Sequence, residues 1–489
     1  MLFNSLEFAI FLPIVFLLYW YIFSKSYRWQ NVFLLLASCF FYVCWDWKTL
    51  SLIVLTAFST WLSGLEIHKA RQTGTGKGTH WYQSKAGLIS AVNIILNLGI
   101  LCVFKYYNFF AQSFADAFQI FGIHLGYTTL HLILPLGISY YTFRAISYSI
   151  DVYRGQMEPT RDFLAFFAFI IFFPLLLAGP IERARTMLGD FLRKRAFDKD
   201  LTVDGLRQIL WGLFKKIVIS GNCALFVDKC FKGNPGGFDA SILWTAIVLY
   251  AFQLYADFSG CSDIAIGVSK LFGFRLKRNF NYPYFSRNMS EFWRRWHISL
   301  MSWFMDYLYI PLGGSRGGKW KTIRNIFIVF LISGLWHGAD WTFILWGGLQ
   351  AVFILPLVLL GTSKRYKNTV AAQGRLLPGG KEFFSILTTF VIFCFGLIPV
   401  RSQTVSYALQ YFYSMFDLSF FTTPGGLKGN IVVFILIMLV IEWLQREKEH
   451  GLSDLKIKNK FLRYALYYAL TICVFWFGGT QEAFIYMQF

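Results

Sequence analysis

The chain is punctuated by apolar blocks, many of them close to the twenty or so residues a helix needs to cross a hydrocarbon core of about 30 Å. They fall near residues 6–23, 31–47, 49–67, 87–104, 131–148, 163–177, 206–227, 242–255, 326–336, 341–360, 383–400, 431–444 and 462–477. Lipid offers no partner to a backbone N–H or C=O, so blocks of this kind fold as helices that satisfy themselves. The expectation is an all-α integral membrane protein with roughly ten to twelve spans, organised as a single polytopic domain over residues 1–489. A chain that is 56% hydrophobic and only 15% charged belongs in that class. Several central blocks are short or carry Pro135, Pro174, Pro180, Pro283 or Pro311, which predicts helices that enter and leave by the same face. No basic run precedes the first block and no small-x-small site follows it, so it reads as helix one and not as a cleaved leader.

A formal charge of +20 raises nucleic acid as a partner, but the basic residues sit in the loops between spans, as the positive-inside rule requires. The partner they imply is the lipid bilayer. Residues 1–6 carry no Lys or Arg, whereas Lys25 and Arg28 follow the first block and Lys69, Arg71, Lys77 and Lys85 follow the third. That asymmetry predicts an external N-terminus, cytoplasmic loops at Arg183, Arg185, Arg193, Lys194 and Arg195 and over 275–295, and external loops over 233–240 and 417–430. The eight cysteines lie in or beside apolar segments without a C-x-x-C spacing, so buried free thiols are expected.

One of the seven histidines, His337, falls thirteen residues past Arg324, roughly 20 Å along a helix at about 1.5 Å per residue. An ionisable group at that depth is costly and usually marks function. The stretch 325–361 is nearly twice the length of one span and carries Gly334 and Gly338 beside the histidine. It reads as two helices meeting at a break, with His337 in the break and Asp340 at the start of the second helix. Asp340 then caps that helix or, as the second reading, orients the imidazole. His337 suits a general base, since imidazole titrates near neutrality and can take a proton from an attacking hydroxyl; a histidine that only satisfies buried carbonyls is the alternative.

Upstream, the basic and aromatic run 275–297 changes character at Asn288, which with Glu291 three residues on resembles a capping box. A helix is predicted from Met289, with Trp293, Trp296, His297, Leu300, Met301 and Phe304 on one face and Arg295, Ser299, Ser302 and Asp306 on the other. Such a helix suits the membrane interface. Arg294, Arg295 and Trp296 are candidates for binding a phosphate-bearing or pantetheine-linked donor, or members of a loop that merely obeys the charge rule. His297 points with the tryptophans, as a packed histidine or a second functional one. Asp257 and Asp263, in apolar surroundings, each require a partner such as an Arg. Dispersed histidines and isolated carboxylates do not form a metal-ligand cluster, and no metal site is expected.

The runs Phe292-Trp-Arg-Arg-Trp-His-Ile-Ser-Leu, Asp306-Tyr-Leu-Tyr-Ile-Pro-Leu-Gly-Gly, Leu335-Trp-His-Gly-Ala and Trp341-Thr-Phe-Ile-Leu-Trp-Gly resemble the membrane-bound O-acyltransferase superfamily, and within it the bacterial alginate O-acetylation type. Leu254-Tyr-Ala-Asp-Phe-Ser-Gly-Cys-Ser-Asp, Leu136-Gly-Ile-Ser-Tyr-Tyr-Thr-Phe-Arg, Asp151-Val-Tyr-Arg-Gly and Ala178-Gly-Pro-Ile extend the likeness, densest over 134–348. The resemblance implies a helical ring with short or re-entrant central helices and a thin centre, with His337 as the essential histidine and His297 as the second. Cys261 stands where an aromatic is expected and Asp340 where Asn is frequent.

The resemblance further implies that acetyl passes from a cytoplasmic thioester, acetyl-CoA or a carrier-linked acetyl, across a bacterial inner membrane. Its destination would be an exported polysaccharide, reached through a periplasmic SGNH-type acetyltransferase, with no bound cofactor. D-alanyl transfer of the teichoic acid type, a metabolite transporter using His337 as a proton relay, and a recruiting scaffold are the alternatives.

Overall fold

A computed structural model describes residues 1–73, 84–455, 457 and 459–478, and every regular element among them is helical. Lys77, used above for orientation, lies outside the described residues. The chain divides into two compact units, Met1–Leu201 with Ser269–Leu276, and Thr202–Val268 with Lys277–Phe489.

The first unit contains α1 (Leu6–Tyr21), α2 (Tyr27–Val43), α3 (Leu50–Gln72), α4 (Lys85–Leu101), α5 (Tyr107–Gln119), α6 (Ile138–Tyr153), α7 (Phe163–Ile171) and α8 (Ala184–Phe191). Serines start three of them: Ser5, Ser26 and Ser84 each accept from the backbone N–H three residues on, which satisfies a donor the helix leaves orphaned. The block 131–148 begins its helix only at Ile138, behind Gly137 at φ +67°, where a Cβ would meet the Leu176 carbonyl oxygen at 2.5 Å. The block 163–177 breaks after nine residues and turns through Phe173–Leu175. Fully buried Arg144 of α6 donates to the carbonyls of Phe169, Ile170 and Leu175 at 3.3, 3.1 and 2.9 Å. Non-helical backbone is tolerated at membrane depth where protein satisfies it in this way.

The second unit holds α9 (Lys199–Leu213) from Thr202 onward, α10 (Gly221–Lys232), most of α11 (Ala240–Leu271), α12 (Met289–Arg295), α13 (Ile298–Phe304), α14 (Lys319–His337), α15 (Trp341–Leu359), α16 (Gly380–Arg401), α17 (Val405–Ser414), α18 (Gly429–Leu444) and α19 (Lys460–Trp476). A π-helical stretch, Phe214–Ser220, joins α9 to α10. The predicted block 242–255 continues through Asp257 and Asp263 into a helix of 32 residues. It does so because both carboxylates are neutralised by lysines from the π-helical stretch: Lys216 pairs with Asp257, and Lys215 Nζ lies 2.7 Å from Asp263 Oδ2.

Among the described residues six helical runs are long and apolar enough to cross a membrane: Leu50–Gln72, Lys85–Gln119, Lys199–Lys232, Ala240–Leu271, Trp341–Leu359 and Gly380–Arg401. Leu6–Tyr21, Phe163–Leu175 and Gly429–Leu444 are apolar but shorter, so full-length spans are fewer than the blocks suggested. All eight cysteines are free thiols. Cys44 and Cys102 are exposed, which corrects the expectation of uniform burial: Cys44 follows the last turn of α2, and Cys102 opens the π-helical turn between α4 and α5.

Candidate functional site

The expected broken pair of helices around His337 is present, with α14 ending at His337 and α15 starting at Trp341. Glycine permits their contact. A Cβ on Gly334 would collide with the Phe343 carbonyl oxygen, and one on Gly347 with that of Phe330, so the two backbones meet where side chains are missing, as small residues allow between membrane helices. Asp340 Oδ1 accepts from the Thr342 N–H at 2.8 Å, the N-cap geometry expected for it. His337 is buried, its ring edge-on to Trp336 at 4.8 Å and to Trp346 at 5.0 Å between centroids.

The imidazole opens on a narrow hollow of about 20 Å³, room for about one water molecule, lined by Leu254, Trp296, His337, Phe343, Trp346, Phe393, Leu397 and Val400. His337 is the one titratable side chain in that lining. The indole Nε1–H of Trp346 is buried without a hydrogen-bond partner, so the wall beside His337 holds a donor with its capacity unused.

The predicted continuous helix from Met289 is interrupted. α12 stops at Arg295, α13 starts at Ile298, and His297 between them adopts the left-handed conformation, φ 44° and ψ 53°. The capping box is present in altered form: Asn288 Oδ1 accepts from Glu291 N at 2.8 Å, while Glu291 Oε2 accepts from the N–H of Arg287 at 2.9 Å. The interfacial reading fails, because Trp293, Arg295, Trp296 and His297 are all buried. Arg295 loses its apparent polar face to Glu291, which takes its Nη2–H at 2.9 Å. The His297 ring packs against Phe258 at 4.7 Å, Phe280 at 6.3 Å and Trp336 at 6.0 Å. One indole, Trp336, therefore touches both imidazoles.

Of the three candidate donor-binding residues, Trp296 reaches the hollow. Arg295 is committed to Glu291 and to the carbonyls of Asn281 and Thr369. Arg294 donates through Nη1 to Ser290 Oγ and Ser363 O at 2.9 and 3.0 Å, while its Nη2 is buried without a partner. Burial pushes both guanidinium groups down from their ordinary value, against the pull of Glu291, and a guanidinium remains charged under such a shift.

Asp257 and Asp263 are paired, as expected, but by lysines. Lys215 and Lys216 lie in a predicted span and Glu442 in another; sequence reasoning passed over all three. Glu442 lies 3.7 Å from Lys215 Nζ and accepts from Tyr255 Oη at 2.8 Å. Two lysines and three acids in neighbouring apolar blocks were the available signal, since charges there come in pairs.

Residues 158–398 match the membrane-bound O-acyltransferase family. Over 447 residues, 91% of this chain and 80% of the relative, the sequence is 37% identical to a probable alginate O-acetylase of Pseudomonas aeruginosa. It is 34% identical over 449 residues to a peptidoglycan O-acetyltransferase of Helicobacter pylori, covering 86% of this chain and 80% of that one. A teichoic acid D-alanyltransferase of Bacillus subtilis is 31% identical over 283 residues, 54% of this chain and 68% of the relative.

Proposed function

We propose that this chain, which belongs to the membrane-bound O-acyltransferase family, passes an acetyl group from a cytoplasmic thioester across a bacterial inner membrane for O-acetylation of an exported polysaccharide. The observation that carries the choice of acetyl is the hollow at His337: seven of its eight lining side chains are aromatic or aliphatic, and none is a carboxylate. A neutral methyl group is at home there. A D-alanyl group brings an ammonium, which would be desolvated with no partner.

In this reading His337 takes the proton of the acceptor hydroxyl as its oxygen attacks the thioester carbonyl. The C–S bond breaks, and the sulfur leaves with a proton as the free thiol. Trp346 Nε1–H is the buried donor available to the oxyanion that forms. Arg294, with a free N–H, is the residue of its basic run suited to a donor phosphate, while the N-terminus faces outward and a separate periplasmic acetyltransferase completes the transfer.

The test is purified protein in liposomes with radiolabelled acetyl-CoA inside and polysaccharide outside, with and without the periplasmic enzyme. His337→Ala should lose the general-base contribution, about 10²- to 10⁴-fold. Transfer unaffected by that substitution refutes the assignment, and labelled donor appearing intact outside identifies a transporter.

A further inference from the structure

We propose that Asn279 is a positioning residue that holds His297 as its Nδ1-protonated tautomer, so that His297 engages its partner in the reaction as a hydrogen-bond acceptor through Nε2. The part concerning the reaction rests on the function proposed above; the tautomer does not.

Asn279 Oδ1 lies 3.2 Å from the backbone N of Ser299, 2.8 Å from Ser299 Oγ and 3.2 Å from His297 Nδ1. A backbone N–H can only donate, so the amide atom facing it is the oxygen and not the nitrogen, which removes the usual ambiguity in an Asn side chain. The Ser299 hydroxyl donates to the same oxygen at 2.8 Å, against 3.5 Å to Nδ1, so the ring nitrogen facing that oxygen is the one that supplies the proton. In a neutral imidazole one nitrogen is then the donor and the other the acceptor, which leaves the lone pair on Nε2. That atom is buried and without a partner.

The surroundings hold this arrangement in place. The Ile298 N–H donates to the Asn279 carbonyl at 2.8 Å, and the Asn281 N–H to the Arg295 carbonyl at 2.9 Å. These two bonds lay the segment before Tyr282 alongside the break between α12 and α13 and keep Asn279 beside the left-handed His297. Such a conformation is strained for a non-glycine residue and persists where neighbours over-determine it. What faces the ring is Phe258 of α11, Phe280, Trp336 of α14, Asn279 and Ser299. No carboxylate is among them, so a second proton would be an unpaired buried charge.

An acceptor-only Nε2 cannot polarise a thioester carbonyl, which needs a donor. The group that fits it is an N–H, O–H or S–H, such as the amide of a pantetheine arm or the hydroxyl about to be acylated.

The closing experiment uses full-length protein labelled with ¹⁵N-histidine in liposomes, read by solid-state NMR, with His297→Gln identifying the His297 signals by subtraction. Wild type should show Nδ1 protonated and Nε2 bare. Asn279→Leu should lose that preference and slow acetyl transfer by about 10- to 100-fold, by analogy with the loss of a partner that orients a metal-bound imidazole. Asn279→Asp, which keeps an acceptor oxygen, should keep Nδ1 protonated. A protonated Nε2 in wild type, or an unchanged spectrum in Asn279→Leu, overturns the proposal. The spectrum requires no turnover, so absence of acetyl transfer in wild type would count against the proposed function and leave the tautomer assignment standing.

Discussion

Lys215→Met, alone and combined with Asp263→Asn, tests the buried charges most directly. Lys215 Nζ is 2.7 Å from Asp263 and 3.7 Å from Glu442, in surroundings that leave its side chain 3% exposed. At an effective dielectric of about 20 those separations correspond to attractions of about 6 and about 4–5 kcal/mol. Against them stands a desolvation penalty of several kcal/mol for each ion, so the intact cluster contributes little net stability. Removing the lysine alone is different: it leaves buried Glu442 and part-buried Asp263 with their cation gone, and breaking such a cluster costs up to about 3–5 kcal/mol. The second substitution removes one of those stranded charges and should return much of the loss. Thermal unfolding in detergent, followed by fluorescence-detected gel filtration, gives the order wild type, then the double variant, then Lys215→Met. If Lys215→Met melts with wild type, or if the two substitutions simply add, the charges are not coupled and the reasoning fails.

Two further outcomes bear on the site. Trp346→Phe should slow transfer by about 10²- to 10³-fold, the effect of losing one oxyanion donor, without the drop in melting temperature a lost hydrogen bond would bring, because Nε1 has no partner to lose; unchanged turnover removes Trp346 from the reaction. Asp340→Ser keeps a side-chain oxygen for the Thr342 N–H but no carboxylate. If Asp340 acts as a cap, both stability and rate survive in Asp340→Ser while Asp340→Ala loses about 1 kcal/mol; a rate collapse in Asp340→Ser alone would make the carboxylate an orienting group instead.

The hairpin around His337 was legible because its signals are local. Gly334, Gly338 and Asp340 lie within seven residues of one another and specify close contact, a break and a cap in turn. The break at His297 was hidden for the opposite reason. Trp293, Trp296, His297, Leu300, Met301 and Phe304 keep helical spacing straight through it, and the interruption comes from hydrogen bonds to Asn279 and Asn281, residues that carry no helix-breaking signal of their own. The length of α11 was misjudged similarly. Two acids look like the end of a span until their lysines, more than forty residues earlier, are placed beside them. Local sequence records helix starts and glycine contacts; it does not record which distant side chain satisfies a polar group.

That distinction also bears on the irregular places in the two units. At the end of α7, Arg144 takes three carbonyl oxygens that the break would leave exposed to apolar surroundings, with its own Nε buried and unmet. At the breaks beside His297 and His337 the backbone is also supported, by Asn279 and by Asp340. The side chains there also hold unmet groups: His297 Nε2 and Trp346 Nε1 are buried without partners, each at a cost of about 1–3 kcal/mol. Stability alone would favour groups of similar shape without those polar atoms. In the function proposed above, the donor in the wall of the apolar hollow would meet the carbonyl oxygen and the acceptor beside Trp336 the attacking group.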